Sequence, residues 1–164
     1  MEPAHKRKFN KAAYKATDKA CKDATINVMK AQGYDFHSDP NVETFKKYDL
    51  EFYNSNTGKS IKIENEMREN YNLLKAKYSS IHIPIRKKNT EADYYLVWKS
   101  SLDEFALIEK KFLTSSPIVE VDCRARGQIP SYTERMIDVQ KNDIIFYQKQ
   151  GKVWKICGSS IQKT

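Results

Sequence analysis

Glycine and cysteine are both scarce here: 164 residues hold five Gly and three Cys. The cysteines, Cys21, Cys123 and Cys157, are odd in number, far apart and without a CxxC spacing. That excludes a disulfide framework and a CxxC-type zinc site, and it fits a reducing, cytoplasmic setting. The three histidines form no HExxH or similar cluster. No stretch approaches 18 apolar residues, and "MEPAHKRKF" has no apolar signal core. The expectation is therefore a chain without membrane spans or secretion. Low-complexity segments, internal repeats and linkers are lacking too.

What is present is cationic. Lysine and arginine total 29 against 21 acids, a formal charge of +8. Such a balance points to a polyanionic partner, with nucleic acid first. The length favours one domain, taken as residues 9–164 behind a loose basic end at 1–8. Apolar residues make up 40% of the chain, enough for a real core, and ten tyrosines suit half-buried sheet surfaces.

Apolar periodicity divides the chain into elements. Phe9, Ala13, Ala16, Ala20, Ala24 and Val28 recur at helical steps and predict a helix from Asn10 to Gln32, stopped by Gly33. Alternation predicts strands at Lys47–Tyr53 and Ser60–Glu66, joined by "NSNTGK" with Gly58 at a positive φ. Met67, Tyr71, Leu74 and Tyr78 predict a second helix over 66–78. Further strands are expected in "IHIPIRKK", "DYYLVWK", "FALIEKKF" (running into a short helix near Lys110), "PIVEVDCRA", "DIIFYQK" and "KVWKIC". Residues 124–135 read as a loop. A crossover from Ser60–Glu66 to Ile81–Arg86 completes an α/β or α+β arrangement.

The acids of the first hairpin are the chemical signal. If Ser55–Gly58 form a four-residue turn, opposed residue numbers sum to 113 and Asp49 faces Glu64. Cross-strand Cβ atoms lie about 5 Å apart, so two carboxylates there repel unless a cation or a proton intervenes. Mg²⁺ commonly uses one or two carboxylates with water and phosphate. Glu66, on the same face, could hold a second metal or orient water. Glu51 opposite Lys62 and Glu66 opposite Lys47 have a plainer reading as surface ion pairs. A three-residue turn would instead set Asp49 against Asn65.

Asp49, the spacer, and then Glu64-Asn65-Glu66 on the next strand resemble the motif of the PD-(D/E)xK nuclease superfamily, with Glu66 in the lysine position. The resemblance covers element order over residues 10–98, its motif only 49–66. It implies a restriction-endonuclease-like α/β fold: a central mixed β-sheet flanked by helices, an αβββαβ core and extra C-terminal strands. It implies Mg²⁺- or Mn²⁺-dependent hydrolysis of DNA. Asp49, Glu64, the Asn65 carbonyl and Glu66 would be the metal ligands. Many enzymes of this fold cut as dimers, which allows a homodimer, and so short a chain suits a phage or mobile-element nuclease. Glu66 would act as base or second-metal ligand, or a lysine from elsewhere would replace the motif lysine: Lys62, or Lys87 with Arg86 on the expected neighbouring strand. Arg86, Lys87 and Lys88, with Arg124 and Arg126, are the expected phosphate contacts. Asp18 and Asp23 on the first helix read as solvated, and Trp98 and Trp154 as core. Two other classes stay open: a DNA-binding module of this fold without catalysis, and a basic interaction protein.

Overall fold

The structure, a computed structural model, describes residues 11–36, 48–68, 80–123 and 132–157. Its helices are α1 (Lys11–Ala31) and the short α2 (Lys110–Ser115). The strands are β1 (Asp35–Phe36), β2 (Leu50–Asn54), β3 (Lys59–Arg68), β4 (Ser80–Pro84) and β5 (Tyr94–Lys99). β6 (Glu104–Glu109), β7 (Ile118–Cys123), β8 (Tyr132–Gln140), β9 (Ile144–Gln150) and β10 (Val153–Cys157) follow. They form two sheets: seven strands in the order β1-β2-β3-β5-β6-β9-β10, and three in the order β4-β8-β7. The larger sheet is mixed, because β3 and β5 run parallel while its other pairs are antiparallel. No described helix is long and apolar enough to cross a membrane.

Two cores lie on the two faces of the larger sheet. Under α1, Leu50, Phe52, Ile61, Ile63, Leu96, Trp98 and Phe105 pack with Cys21 and Val28. Trp98 packs at a tilt against Phe105 (4.6 Å) and meets Trp154 edge-on (5.5 Å). On the opposite face Tyr95, Val97, Ala106, Ile108, Ile144 and Phe146 join Ile81, Ile83, Ile137 and Val139 of the smaller sheet. The alternation that places every second residue of a strand on one face therefore serves two apolar layers at once.

The expected hairpin forms in the expected register. Asn54 faces Lys59 and Leu50 faces Ile63, so opposed numbers sum to 113. Gly58, at φ +71°, donates its N–H to the Asn54 carbonyl and closes the turn. The Asn54 side chain accepts from the Asn56 N–H as well, which fixes the four-residue loop.

Other expectations need correction. The helix ends one residue from where its sequence pattern put them, but its buried face is turned. Val28 is buried as expected, but so are Cys21 and Thr25, whereas Ala16 is exposed. Alanine tolerates either environment, so the alanine rhythm misplaced the stripe; Phe9 lies outside the described residues. Residues 66–68 continue β3 instead of starting a helix, and 69–79 fall outside the described residues. β4 does not join β3: it is an edge of the smaller sheet, and β5 takes the parallel place beside β3. Among the described residues, the larger sheet is covered by α1 on one face and by the smaller sheet with α2 on the other. Residues 132–135 belong to β8, a nine-residue strand that was read partly as loop.

Candidate functional site

β2 starts at Leu50, opposite Ile63, but β3 runs on to Arg68 and stays paired with β5 through Arg68. Beyond Ile63, no described strand occupies the β2 side of β3. A cleft of about 300 Å³ opens there, lined by Thr17, Asp18 and Cys21 of α1, by Asp49, by Asn65, Glu66 and Met67 of β3, by Pro84, Arg86 and Lys87, and by Tyr95. It draws walls from α1, both sheets and the turn after β4.

Asp49 sits in the bend before β2. Its N–H donates to the Ile63 carbonyl (3.1 Å). Its Oδ2 accepts from the Asn65 backbone N–H (2.9 Å) and from Asn65 Nδ2 (3.1 Å). The carboxylate thus takes the place that the next β2 residue would have filled along the β3 edge. Strand register pairs Asp49 with Glu64, yet the side chain reaches for Asn65. The four-residue turn and its register are the ones realised, not the three-residue alternative; Asp49 still meets Asn65 because a side chain can turn into the sheet plane where its own strand has ended.

Glu64 projects from the opposite face to Asn65 and is 6% exposed. Its Oε1 accepts from Lys87 Nζ at 3.0 Å. Its Oε2 is buried and has no hydrogen-bond partner among the described residues. Burial pushes the carboxyl above the ordinary glutamate value; hydrogen bonding and charge from Lys87 oppose this, and the Asp49 charge adds to it. Thr90 also hydrogen-bonds to Glu64 and favours its ionised form.

The route that brings Lys87 to Glu64 is local. Pro84 ends β4 at φ −52°, and residues Ile85–Lys87 make one 3-10 turn. Lys88 and Thr90 close it through N–H bonds to Ile85 and Lys87. Lys87 reaches the acid from this turn, not from a neighbouring strand of the same sheet as expected. Arg86 is exposed and lines the cleft; Lys88 is half-buried and caps the turn.

Glu66 is engaged otherwise. Its Oε1 accepts from Arg68 (2.8 Å), whose guanidinium also donates to the His82 carbonyl (2.6 Å) and so ties the two sheets together. Tyr95 hydrogen-bonds to Glu66; burial first, and the Glu66 charge next, push its phenol upwards. Lys62 does not line the cleft: its ammonium lies over the Tyr48 ring at 5.0 Å, and the Tyr48 hydroxyl donates to Glu51. Arg124, Arg126 and Lys47 lie outside the described residues.

Asp18 is half-exposed, as the expectation of a solvated acid allows, and it lines the cleft while pairing with Lys22 at 3.0 Å. The i, i+3 step from Asp18 to Cys21 would have placed it there, had the buried face been centred on Cys21 and Thr25. Thr25 and Thr90 carried no sequence signal. Among the described residues, no three His, Cys, Asp or Glu side chains group as a metal site.

No family model matches the chain. Nor does any curated protein. In a comparison with solved structures, the fold overlaps that of I-Ssp6803I, a bacterial homing endonuclease, with a TM-score of 0.45 and 18% identity, over 70% of this chain and 81% of that chain. An overlap that partial assigns no activity to this chain.

Proposed function

We propose that the chain is a divalent-metal-dependent nuclease that hydrolyses DNA phosphodiester bonds, with Asp49 and Glu64 as the metal-holding acids. One observation carries the reading: Glu64 holds a buried carboxylate with an oxygen that no described group satisfies, next to a second acid at a cleft. An orphaned buried oxygen is costly unless something binds it. A hard cation fits that oxygen, and two carboxylates suffice where phosphate and water complete the shell. The lack of a three-acid cluster is compatible with this set. The Asn65 carbonyl suits it as well: a strand residue's N–H and C=O leave on the same side, and this N–H meets Asp49.

A bound Mg²⁺ or Mn²⁺ would supply Lewis-acid polarisation of the scissile phosphate and a more acidic water. The chain's own groups do the rest. Asp49 and Glu64 present oxygens from two directions. Lys87, held 3.0 Å from Glu64, sets a positive charge where the phosphate would gain negative charge, and so replaces the lysine that Glu66 displaces from the motif. Glu66, tied to Arg68, braces the two sheets instead of serving as base. Arg86, Lys88 and the excess positive charge hold the DNA backbone; Arg124 and Arg126, outside the described residues, are assigned the same role from the sequence alone.

The test is plasmid and single-stranded DNA incubated with Mg²⁺ or Mn²⁺, using the wild type, Asp49→Ala and Glu64→Ala. Metal-dependent cutting, lost in both variants, is the expected result. Salt-sensitive binding without cutting would replace this reading with a DNA-binding module, the alternative favoured by the missing motif lysine. Neither cutting nor binding would leave a basic interaction protein.

A further inference from the structure

We infer that Trp98, Thr25 and Asn65 form a positioning relay that aims the Asp49 carboxylate; the inference rests on the proposed metal site at that acid. The relay crosses three elements. Trp98 of β5 donates from Nε1 to Thr25 Oγ1 of α1 at 3.0 Å. Thr25 donates to Asn65 Oδ1 of β3 at 2.8 Å. Asn65 donates from Nδ2 to Asp49 Oδ2 at 3.1 Å. Trp98 and Thr25 are both wholly buried.

Donor and acceptor counting fixes the direction of every link. An indole N–H can only donate, and a carboxylate can only accept. Between them the amide of Asn65 has one workable orientation, with its oxygen on the Thr25 hydroxyl and its nitrogen on Asp49. The flipped amide would set oxygen against the carboxylate. Thr25 has one hydroxyl proton and two acceptors in range, Asn65 Oδ1 at 2.8 Å and the Cys21 carbonyl at 3.0 Å. The indole N–H occupies one of its two lone pairs, and the proton goes to Asn65 Oδ1, because two bare oxygens 2.8 Å apart would repel. Asp49 Oδ2 is then held by two N–H groups of one residue, and Asp49 lines the cleft.

A metal ligand needs such outer partners, and removing one typically costs about 10- to 100-fold in metal affinity. A purely architectural network would alter stability alone. The experiment is Mn²⁺ titration by calorimetry of the full chain. Thr25→Val keeps the shape and loses the hydroxyl; Thr25→Ser keeps the hydroxyl. Thr25→Val should weaken Mn²⁺ binding about tenfold, and Thr25→Ser should bind as the wild type does. Asn65→Ala should weaken it at least as much, with the backbone N–H still on Asp49. The double variant Thr25→Val/Asn65→Ala should lose no more than Asn65→Ala alone, because the links act in series. Wild-type affinity in Thr25→Val, or losses that add in the double variant, would overturn the relay. Should Thr25→Val not fold, the Asn65→Ala and Thr25→Ser pair decides by the same criterion. If the wild type binds no Mn²⁺, the metal reading fails by itself. The relay is then judged on the metal-free protein by the Asn65 side-chain amide signals in ¹⁵N spectra. A shift in Thr25→Val and in Asp49→Ala but not in Thr25→Ser supports it; no shift in Thr25→Val overturns it.

Discussion

Residues 61, 63 and 67 of β3 lie under α1, whereas residues 62, 64 and 66 face away from it, and the two sets obey different rules. Ile61 and Ile63 fill an apolar core with Leu50, Phe52 and Trp98. Glu64, one step away, is as inaccessible as a core residue but is charged and half-satisfied. Asn65 has the parity of the isoleucines, yet it is hydrogen-bonded, once to the helix and twice to Asp49. The difference teaches where the fold stores stability and where it stores chemistry. Up to Ile63, β3 has β2 beside it. Beyond Ile63 that neighbour is gone, and the backbone edge and the polar side chains turn to the cleft.

The strongest way to break the comparison is Glu64→Gln. It keeps the shape and removes a proposed ligand. DNA cutting should fall by more than the ~100-fold typical of losing an outer partner of a metal site. Retarded migration of DNA should persist, because affinity rests on lysines and arginines. Loss of binding along with cutting would mean that Glu64 supports the surface, not the chemistry.

Next in size is Ile63→Ala on the other face. Removing a buried Ile side chain costs about 2–5 kcal/mol, read by urea denaturation. The variant should still cut at close to the wild-type rate per folded molecule at low temperature. A stable but inactive Ile63→Ala protein would show that the two faces are not separable.

Much of this division was readable from "NSNTGK" and the alternation around it. Leu50, Phe52, Ile61 and Ile63 fix which face is apolar, and one residue of slip would invert the whole set. That is why the register came out as expected. Strand order was not readable. β4 and β5 both look like partners for β3, and only packing sends Ile81 and Ile83 to the second sheet. β8 hid behind Glu134, Arg135 and Asp138, charges that the cross-strand partners of this central strand accommodate: Arg135 faces Glu120, and Asp138 lies 3.1 Å from His82. The helix rotation failed because alanine carries little information about burial, and with it went the place of Asp18 at the cleft and the burial of Thr25. Lys87 could be nominated as a cation, but a 3-10 turn following a proline does not announce where its side chains will point.

A smaller effect is expected from Gly58→Ala. Gly58 sits at φ +71° with open space around its Cα, so only backbone strain opposes a side chain. An L-residue there costs about 1–2 kcal/mol, seen as a lower denaturation midpoint. Cutting should be unchanged, because Asn54 and the apolar pattern still hold the register. An altered cleavage rate would mean that the turn, not the pattern, sets which residues face the cleft.

The smallest effect concerns the proton on Glu64. Its folded-state carboxyl lies above the ordinary value of about 4.5, so the native protein binds this proton more readily than the unfolded chain. Stability then falls with rising pH across the window from the ordinary value to the raised native one, and the cost is fully present above it. Lys87 offsets part of the burial cost, which keeps the effect small. Metal-free wild type and Glu64→Gln should therefore diverge as pH rises through that window, with the wild type losing stability relative to the variant, and run parallel above it. Thermal melts of both proteins from acid to neutral pH measure this directly. Curves that stay parallel throughout would mean that Lys87 neutralises the buried charge completely, and that Glu64 belongs with the satisfied residues of its strand rather than with the site.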